Sequence, residues 1–397
     1  MKKLLSVILA LVLTAAFLPA TQAQTQPLTF RADGTFRILQ LSDPQDDAYP
    51  AWDMLNLIRT AVKFADPDLI VLSGDLVEDT RGGDVGIDAQ PVLEGVVVRT
   101  PDMQMDLAKT RENVEKAVDA ILGELETFGI PYVFALGNND RKVGLTGEDW
   151  IEILSAYEHC IIFDESPDAA DGVDYHVTVR GASGEPAFNV WLMDSGLSGI
   201  TDEQVDWYRS ASVEMTAANG GAPVPALWFQ HIQCADIGNL FEPCKAIDEG
   251  AKKTDAGYVR LNRDIATGYS FYGYTPGRTS YEFCAWMECG DVLGAFFGHQ
   301  HVEGISGVWD GVELGFTYGC QMAKTGPYGF RVFTVREDDP ANYENTLYRY
   351  EGKVKLNTVK ITEEPVTAYA STEGPLGVFV RLRNLLLAFF SAIVSLF

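Results

Sequence analysis

The sequence predicts an α/β fold, a β-sheet covered by helices, and three observations predict it. Strand-like apolar runs alternate with helix-period segments from Phe36 to Asp140, in the order β-α-β-α-β. The second half of the chain supplies further strand-like runs. Five of the apolar runs end in a polar cluster, and in helix-covered sheets ligands gather at strand ends because the loops there converge on a crevice.

The first strand is FRILQLS, Phe36 to Ser42, which alternates and is rich in β-formers. MLNLIRTAVKFA follows with helical spacing, and DLIVLSGD reads as a short buried strand. The long helical segment DLAKTRENVEKAVDAILGELETFG leads to a third strand, PYVFALGNND. Between them, Gly82 to Arg99 is a glycine-rich, then valine-rich insertion, read as a loop or hairpin at the rim. After Asp140 come the strand NVWLMDSG, a helix around TDEQVDWYRSASVEM, and the strand ALWFQHI. A stretch from Gln233 to Tyr281, rich in Gly, Asp and Tyr, has no clear period and reads as a long irregular segment, a functional rim or lid. The strands AFFGHQH, GVELGFTYG and FRVFTVRE close the pattern, and one domain from 28 to 365 is the simplest organisation.

With 397 residues and 47% hydrophobic content the chain can bury a large core. Its formal charge of −26 repels phosphate backbones and anionic lipid, which excludes a nucleic-acid-coating or polybasic membrane role. A small anionic substrate would then need local positive charge, which bound metal ions supply compactly. The start, MKKLLSVILALVLTAAFLPATQA, reads as a secretory signal peptide over 1–23, so export is expected. In an exported chain the six cysteines could pair, with Cys234–Cys244 and Cys284–Cys289 as the local options, or remain free buried thiols. The tail over 374–397 is strongly apolar, but its uninterrupted part, Leu385 to Phe397, is shorter than the roughly 20 residues a membrane span needs. Membrane contact by an interfacial helix and a helix docked on the domain are both compatible with it.

The polar clusters are Asp43 after ILQLS, Gly74-Asp75 after LIVLS, Gly137-Asn138-Asn139-Asp140 after YVFAL, His231 after ALWFQ, and His299 with His301 after GAFFG. Carboxylate, amide and imidazole together form a donor set for hard or borderline metals such as Mn, Fe or Zn. Taken singly, each residue has an ordinary structural role open to it: a turn for Asp43, a cap for Asp75, a satisfied core histidine for His231. As an ordered set they point to a metal site. His159 and His176 fall outside the set.

In this order the clusters resemble the calcineurin-like metallophosphoesterases, whose pattern runs D-x-H, GDxxx, GNH[DE], a lone H, then GHxH. Here those stations read Asp43-Pro44-Gln45, Gly74-Asp75, Gly137-Asn138-Asn139-Asp140, His231 and Gly298-His299-Gln300-His301. The LMDSG block around Asp194, FQHI and the long irregular segment look most like the purple acid phosphatase-related branch. The resemblance implies an α/β/β/α sandwich of two mixed sheets flanked by helices, and two divalent or trivalent metal ions. It makes Asp75 the bridging carboxylate, places Asn138, His231 and His299 with one ion, and places Asp43, His301 and the residue at Gln45 with the other. Two positions depart from the pattern. Gln45 replaces a histidine, and an amide oxygen is a poorer ligand than imidazole for Zn or Fe. Asn139 replaces the histidine thought to protonate the leaving group or stabilise the pentacoordinate transition state, and an amide can donate a hydrogen bond but has no proton to give up. Asp46, Asp47 and Asp140 are nearby carboxyls, each expected to be a solvated loop residue or a cap. The implied function is hydrolysis of phosphate mono- or diesters by a metal-bound hydroxide, with Asp75 and Asn139 in catalytic positions. The alternatives are a single-metal enzyme and a binding protein that kept the scaffold and lost turnover.

Overall fold

The computed structural model describes residues 27–78, 92–93, 96–97, 107–166, 172–255, 257–273, 281–321, 326–353 and 358–364. Residues 1–23, read as a signal peptide, and the C-terminal tail lie outside these residues, as does most of the Gly82–Arg99 insertion. Of that insertion, Val92–Leu93 pairs antiparallel with Val96–Val97.

Two seven-stranded sheets carry the fold. In the first, Thr35–Leu41, Leu69–Ser73, Tyr132–Ala135 and Cys160–Ile161 run parallel, each beside the next. Tyr328–Arg336, Glu344–Lys353 and Thr358–Glu363 continue it antiparallel from the other side of Thr35–Leu41. In the second, Pro186–Met193, Ala226–Gln230, Val292–Phe297 and Val312–Phe316 run parallel. Tyr175–Arg180 borders one side, and Gly304–Trp309 with Ala266–Tyr269 the other, all antiparallel.

Side chains alternate across a strand, so each sheet has two apolar faces to cover. Phe333 of the first sheet points inward and meets Phe229 and Phe296 of the second, at ring separations of 5.5 and 4.6 Å. Phe330, on the opposite face, meets Phe64 of the helix Trp52–Ala65 at 5.8 Å. In the second sheet, Trp228 points the other way from Phe229 and packs on Tyr208 of the helix Asp202–Ala218 and Trp286 of the helix Glu282–Cys289. The layers are therefore helix, sheet, sheet, helix, the sandwich the resemblance implied.

Helix boundaries follow local chemistry. Asp202–Ala218 starts at Thr201, whose hydroxyl accepts from Gln204 N while Gln204 Oε1 accepts from Thr201 N, a reciprocal cap. Trp52–Ala65 stops where Asp66 turns left-handed at φ 45° and its N–H reaches Val62 O.

The segment from Gln233 to Tyr281 corrects the irregular reading. It holds a 3-10 turn, Ala235–Leu240, and a small sheet of Phe241–Pro243, Gly257–Leu261 and Lys252–Thr254. Ala266–Tyr269 then joins the second large sheet. Strands of three to five residues are too short to show a period, which is why they escape pattern reading. All six cysteines are free thiols, so neither local disulfide forms. Among the described residues no helix is long and apolar enough to cross a membrane.

Candidate metal centre

The ligand candidates sit just beyond the ends of parallel strands from both sheets. Asp43, Gln45, Asp75, Asn138 and Asn139 follow strands of the first sheet; His231, His299 and His301 follow strands of the second. Four of the six described non-glycine residues with positive φ are among them: Asp43 at 48°, Gln45 at 40°, Asp75 at 51° and His299 at 67°. This backbone region is costly for residues with a Cβ, and it persists only where the surroundings enforce it. Backbone bonds do so here. Asp43 N donates to Gly74 O, Gln45 N to Asp75 O, and His299 N to both oxygens of Asp43 at 3.2 and 3.1 Å. The approach also needs glycine at two points. A Cβ on Gly137 would overlap Asp75 N, and one on Gly298 would overlap Ser42 Oγ.

The side chains converge in two groups that share one carboxylate. Asp75, His231 and His299 bring their donor atoms within 4.8 Å of one another, and so do Asp43, Asp75 and His301. His231 Nε2 is 3.1 Å from Asp75 Oδ2 and 3.8 Å from Asp43 Oδ1; His301 Nε2 is 3.4 Å from Asp43 Oδ1. On its other side, His231 Nδ1 lies 2.9 Å from Ser73 O, a bond that fixes a proton on Nδ1 and turns Nε2 toward the carboxylates.

Electrostatics reflect the crowding. Burial alone would depress the His231 imidazole, but Asp75 and Asp43 outweigh it and push its pKa up to about 10. Asp75 is held below its ordinary value, because His231 overcomes the cost of burial. Burial, helped by His231, pushes His299 down to about 4, so that ring is neutral. A cation entering here would replace the proton shared between His231 and Asp75.

Two amides bear on whether these residues fit metal. The Oε1 of Gln45, in a side chain only 4% exposed, has no hydrogen-bond partner. A buried acceptor without a donor costs about 1–3 kcal/mol, and a cation would satisfy it. Asn138 has two settings. With its oxygen inward, that atom lies 2.8 Å from His299 Nδ1 and 3.3 Å from His231 Nε2, where it would join both rings as a third donor to a cation. Reversed, the nitrogen donates to both rings and the oxygen accepts from Lys142 Nζ at 2.8 Å. The donor set thus fits one ion among Asp75, Asn138, His231 and His299, and a second among Asp43, Gln45, Asp75 and His301.

Asn139 uses its donors on the shared carboxylate: N reaches Asp75 Oδ1 at 2.8 Å and Nδ2 reaches Asp75 Oδ2 at 2.6 Å. Its Oδ1 accepts from Lys142 Nζ at 3.1 Å. Asp140 is not solvated. It is fully buried, accepts from Leu76 N, Val77 N and Gly137 N, and so ties the Asp75 turn to the helix Asn138–Lys142 as a cap. Burial, then Asp75, pushes its pKa up to about 8. Asp46 is likewise a loop brace, accepting from Asp47 N and Ala51 N. His159 bonds to Glu126, and His176 to Asn189, as the sequence reading left them.

A cavity of about 380 Å³ opens over the centre, walled by Gln45, Asp75, Asn138, Asn139, Lys142, Tyr272, His299, Gln300, His301 and Val302. Sequence reasoning missed Lys142 and Tyr272. Lys142 carried a usable signal, since it lies four residues after Asn138 on one helix face. Tyr272 carried none. It is positioned by Glu303, a buried carboxylate that accepts from the backbone N–H groups of Phe271 and Tyr272.

The chain is similar to known proteins. The family model described as calcineurin-like phosphoesterase matches residues 36–303. Two Arabidopsis thaliana proteins named probable inactive purple acid phosphatase 14 and 28 are 26% and 23% identical. The first alignment covers 84% of this chain and 81% of the relative; the second covers 77% and 74%. A dimetal phosphatase from Danio rerio has 11% identity and a TM-score of 0.44, over 84% of this chain and 99% of that one.

Proposed function

Because the chain belongs to the calcineurin-like phosphoesterase family, we propose that it is an exported metal-dependent hydrolase of small phosphate mono- or diesters. The observation that carries the reading is the sharing of Asp75 by two converging ligand groups. When bound, two ions would generate a nucleophile from water near neutral pH and neutralise the phosphoryl oxygens. The chain's own residues prepare that chemistry. Asp75 faces both ion positions, and Asn139 orients it through two hydrogen bonds. His231 is locked by Ser73 O with Nε2 inward, 3.1 Å from Asp75 Oδ2, where it would serve as a ligand beside that carboxylate. Gln45 offers an oxygen where a histidine would offer nitrogen, which makes the Asp43 side the weaker of the two. Asn139 cannot protonate a leaving alkoxide, so the substrates turned over best are those whose leaving oxygen needs no proton, aryl esters and anhydrides.

A second reading is a metal-binding protein with little turnover. Asn139 favours it, and so do the printed names of the Arabidopsis thaliana relatives, which call those proteins probably inactive. Metal content measured together with hydrolysis of a graded series of aryl and alkyl phosphates separates the two. Bound metal with rates that fall steeply as leaving-group pKa rises supports the hydrolase. Bound metal with no turnover of any ester leaves the binding protein, and absence of bound metal defeats both.

A further inference from the structure

The chain carries a formal charge of −26, yet one cation stands in the wall of the metal cavity. Among the described residues that line it, Lys142 is the only Lys or Arg. Its neighbour Arg141 turns away, to Asp194 Oδ2 at 3.1 Å in a largely buried pair, so the two basic side chains of this helix have different tasks. Arg141 anchors the helix. Lys142 faces the cavity.

The placement of Lys142 bears on the family histidine that Asn139 replaces. The Asn139 amide lies between opposite charges: its nitrogen donates to Asp75 Oδ2 at 2.6 Å, and its oxygen accepts from Lys142 Nζ at 3.1 Å. An imidazolium at position 139 would be repelled by the ammonium beside it, whereas a neutral amide suits both neighbours. In this chain the positive charge therefore sits at position 142, one helical turn on from Asn139. Asn138 adds a second contact. With the amide reversed, its oxygen accepts from Lys142 Nζ at 2.8 Å beside the Asn139 bond, so the ammonium is held at the cavity wall by two amide oxygens.

We propose that Lys142 is the phosphate-anchoring cation of this site, its ammonium donating to a non-bridging oxygen of the substrate phosphoryl group. The inference rests on the hydrolase reading of the same cavity, and it assigns the substrate's anionic end to the side of the cavity formed by the helix Asn138–Lys142. A charge-assisted hydrogen bond of this kind is strong enough to show as roughly a tenfold change in affinity or more.

The test is calorimetric titration of inorganic phosphate into full-length protein loaded with Mn, with metal content measured on the same samples. Lys142→Met should hold metal as the wild type does and bind phosphate about tenfold or more weakly. Lys142→Arg, which keeps the charge, should stay within about threefold of wild type. Phosphate affinity unchanged in a metal-loaded Lys142→Met protein overturns the assignment while leaving the hydrolase reading in place. Loss of metal in Lys142→Met, with Lys142→Arg failing to restore phosphate binding, also overturns it, since Lys142 would then act as a brace. A wild type that takes up no metal defeats the hydrolase reading, and this inference with it.

Discussion

Gln45 offers a test in which the sign of the effect reverses with metal. Its Oε1 is buried without a donor, while its backbone is fully engaged, N to Asp75 O at 2.9 Å and O to Gln321 Nε2 at 3.0 Å. Gln45→Met keeps the length of the side chain and removes the orphan oxygen. Without metal, the variant sheds a desolvation cost of about 1–3 kcal/mol. In a domain of this size 1 kcal/mol moves Tm by about 2 °C, so the metal-free variant should melt roughly 2–6 °C above wild type. With metal the order reverses or narrows. An ion at a hundred times its Kd stabilises by about 2.7 kcal/mol, and a site deprived of its amide ligand forfeits much of that. The assay is scanning calorimetry of chelator-treated and Mn- or Zn-saturated protein, wild type and variant in parallel. If Gln45→Met melts lower than wild type without metal, or if metal shifts both proteins equally, then Gln45 is packing and not a ligand.

Three further expectations follow from the same centre and its supports. Asp75→Asn should deplete both ions and His299→Ala one, read as equivalents of metal per chain; full occupancy in both would refute the ligand assignment. Asn139→Leu, which strips Asp75 of its Nδ2 donor, should weaken metal binding about 10- to 100-fold in competition with a chelator, and no change would mean that Asp75 needs no such support. The third concerns pH. Asp174 is fully buried and its pKa is pushed up to about 7, by burial first and then by Asp194. Because the folded value lies above the unfolded one of about 3.9, ionising it costs stability: none of that cost is present below pH 4, and all of it is present above pH 7. Unfolding free energy from denaturant titrations should therefore lose stability across this window, and Asp174→Asn should lessen the slope; equal slopes would show that the Ser166 and Gln204 hydrogen bonds keep the carboxylate ionised throughout.

Most parallel strands of both sheets were legible because Leu69–Ser73, Ala226–Gln230 and their neighbours are short, wholly buried runs bounded by polar residues, whereas the two-residue strand Cys160–Ile161 was not. Edge strands were harder. Tyr175–Arg180 alternates between buried and open positions, but nothing near it marks a site, and it went unassigned. The ligand order was readable because each candidate follows an apolar run directly. Its backbone was not, since no residue-level rule places Asp43, Asp75 and His299 in left-handed conformations; they are held there by bonds between loops far apart in sequence. Asp140 shows the same limit in reverse. A carboxylate in a glycine- and asparagine-rich turn reads as a solvated loop residue or a cap; the fold makes it a cap, and only the fold brings Leu76 N and Val77 N to it as well.

The division of the ligands between the two sheets ties metal capture to the order of folding. Asp43, Gln45, Asp75 and Asn138 belong to one half of the sandwich, and His231, His299 and His301 to the other, so neither half alone presents a complete coordination set. A metal held by this set would complete its coordination only once the halves have met. Once they are joined, an ion would act as a rivet through the seam, resisting shear between the layers more than the fraying of any single strand. The rate at which a metal-responsive signal appears during refolding is then a clock for the closing of the sandwich, and pulling the two sheets apart would require breaking coordination bonds first.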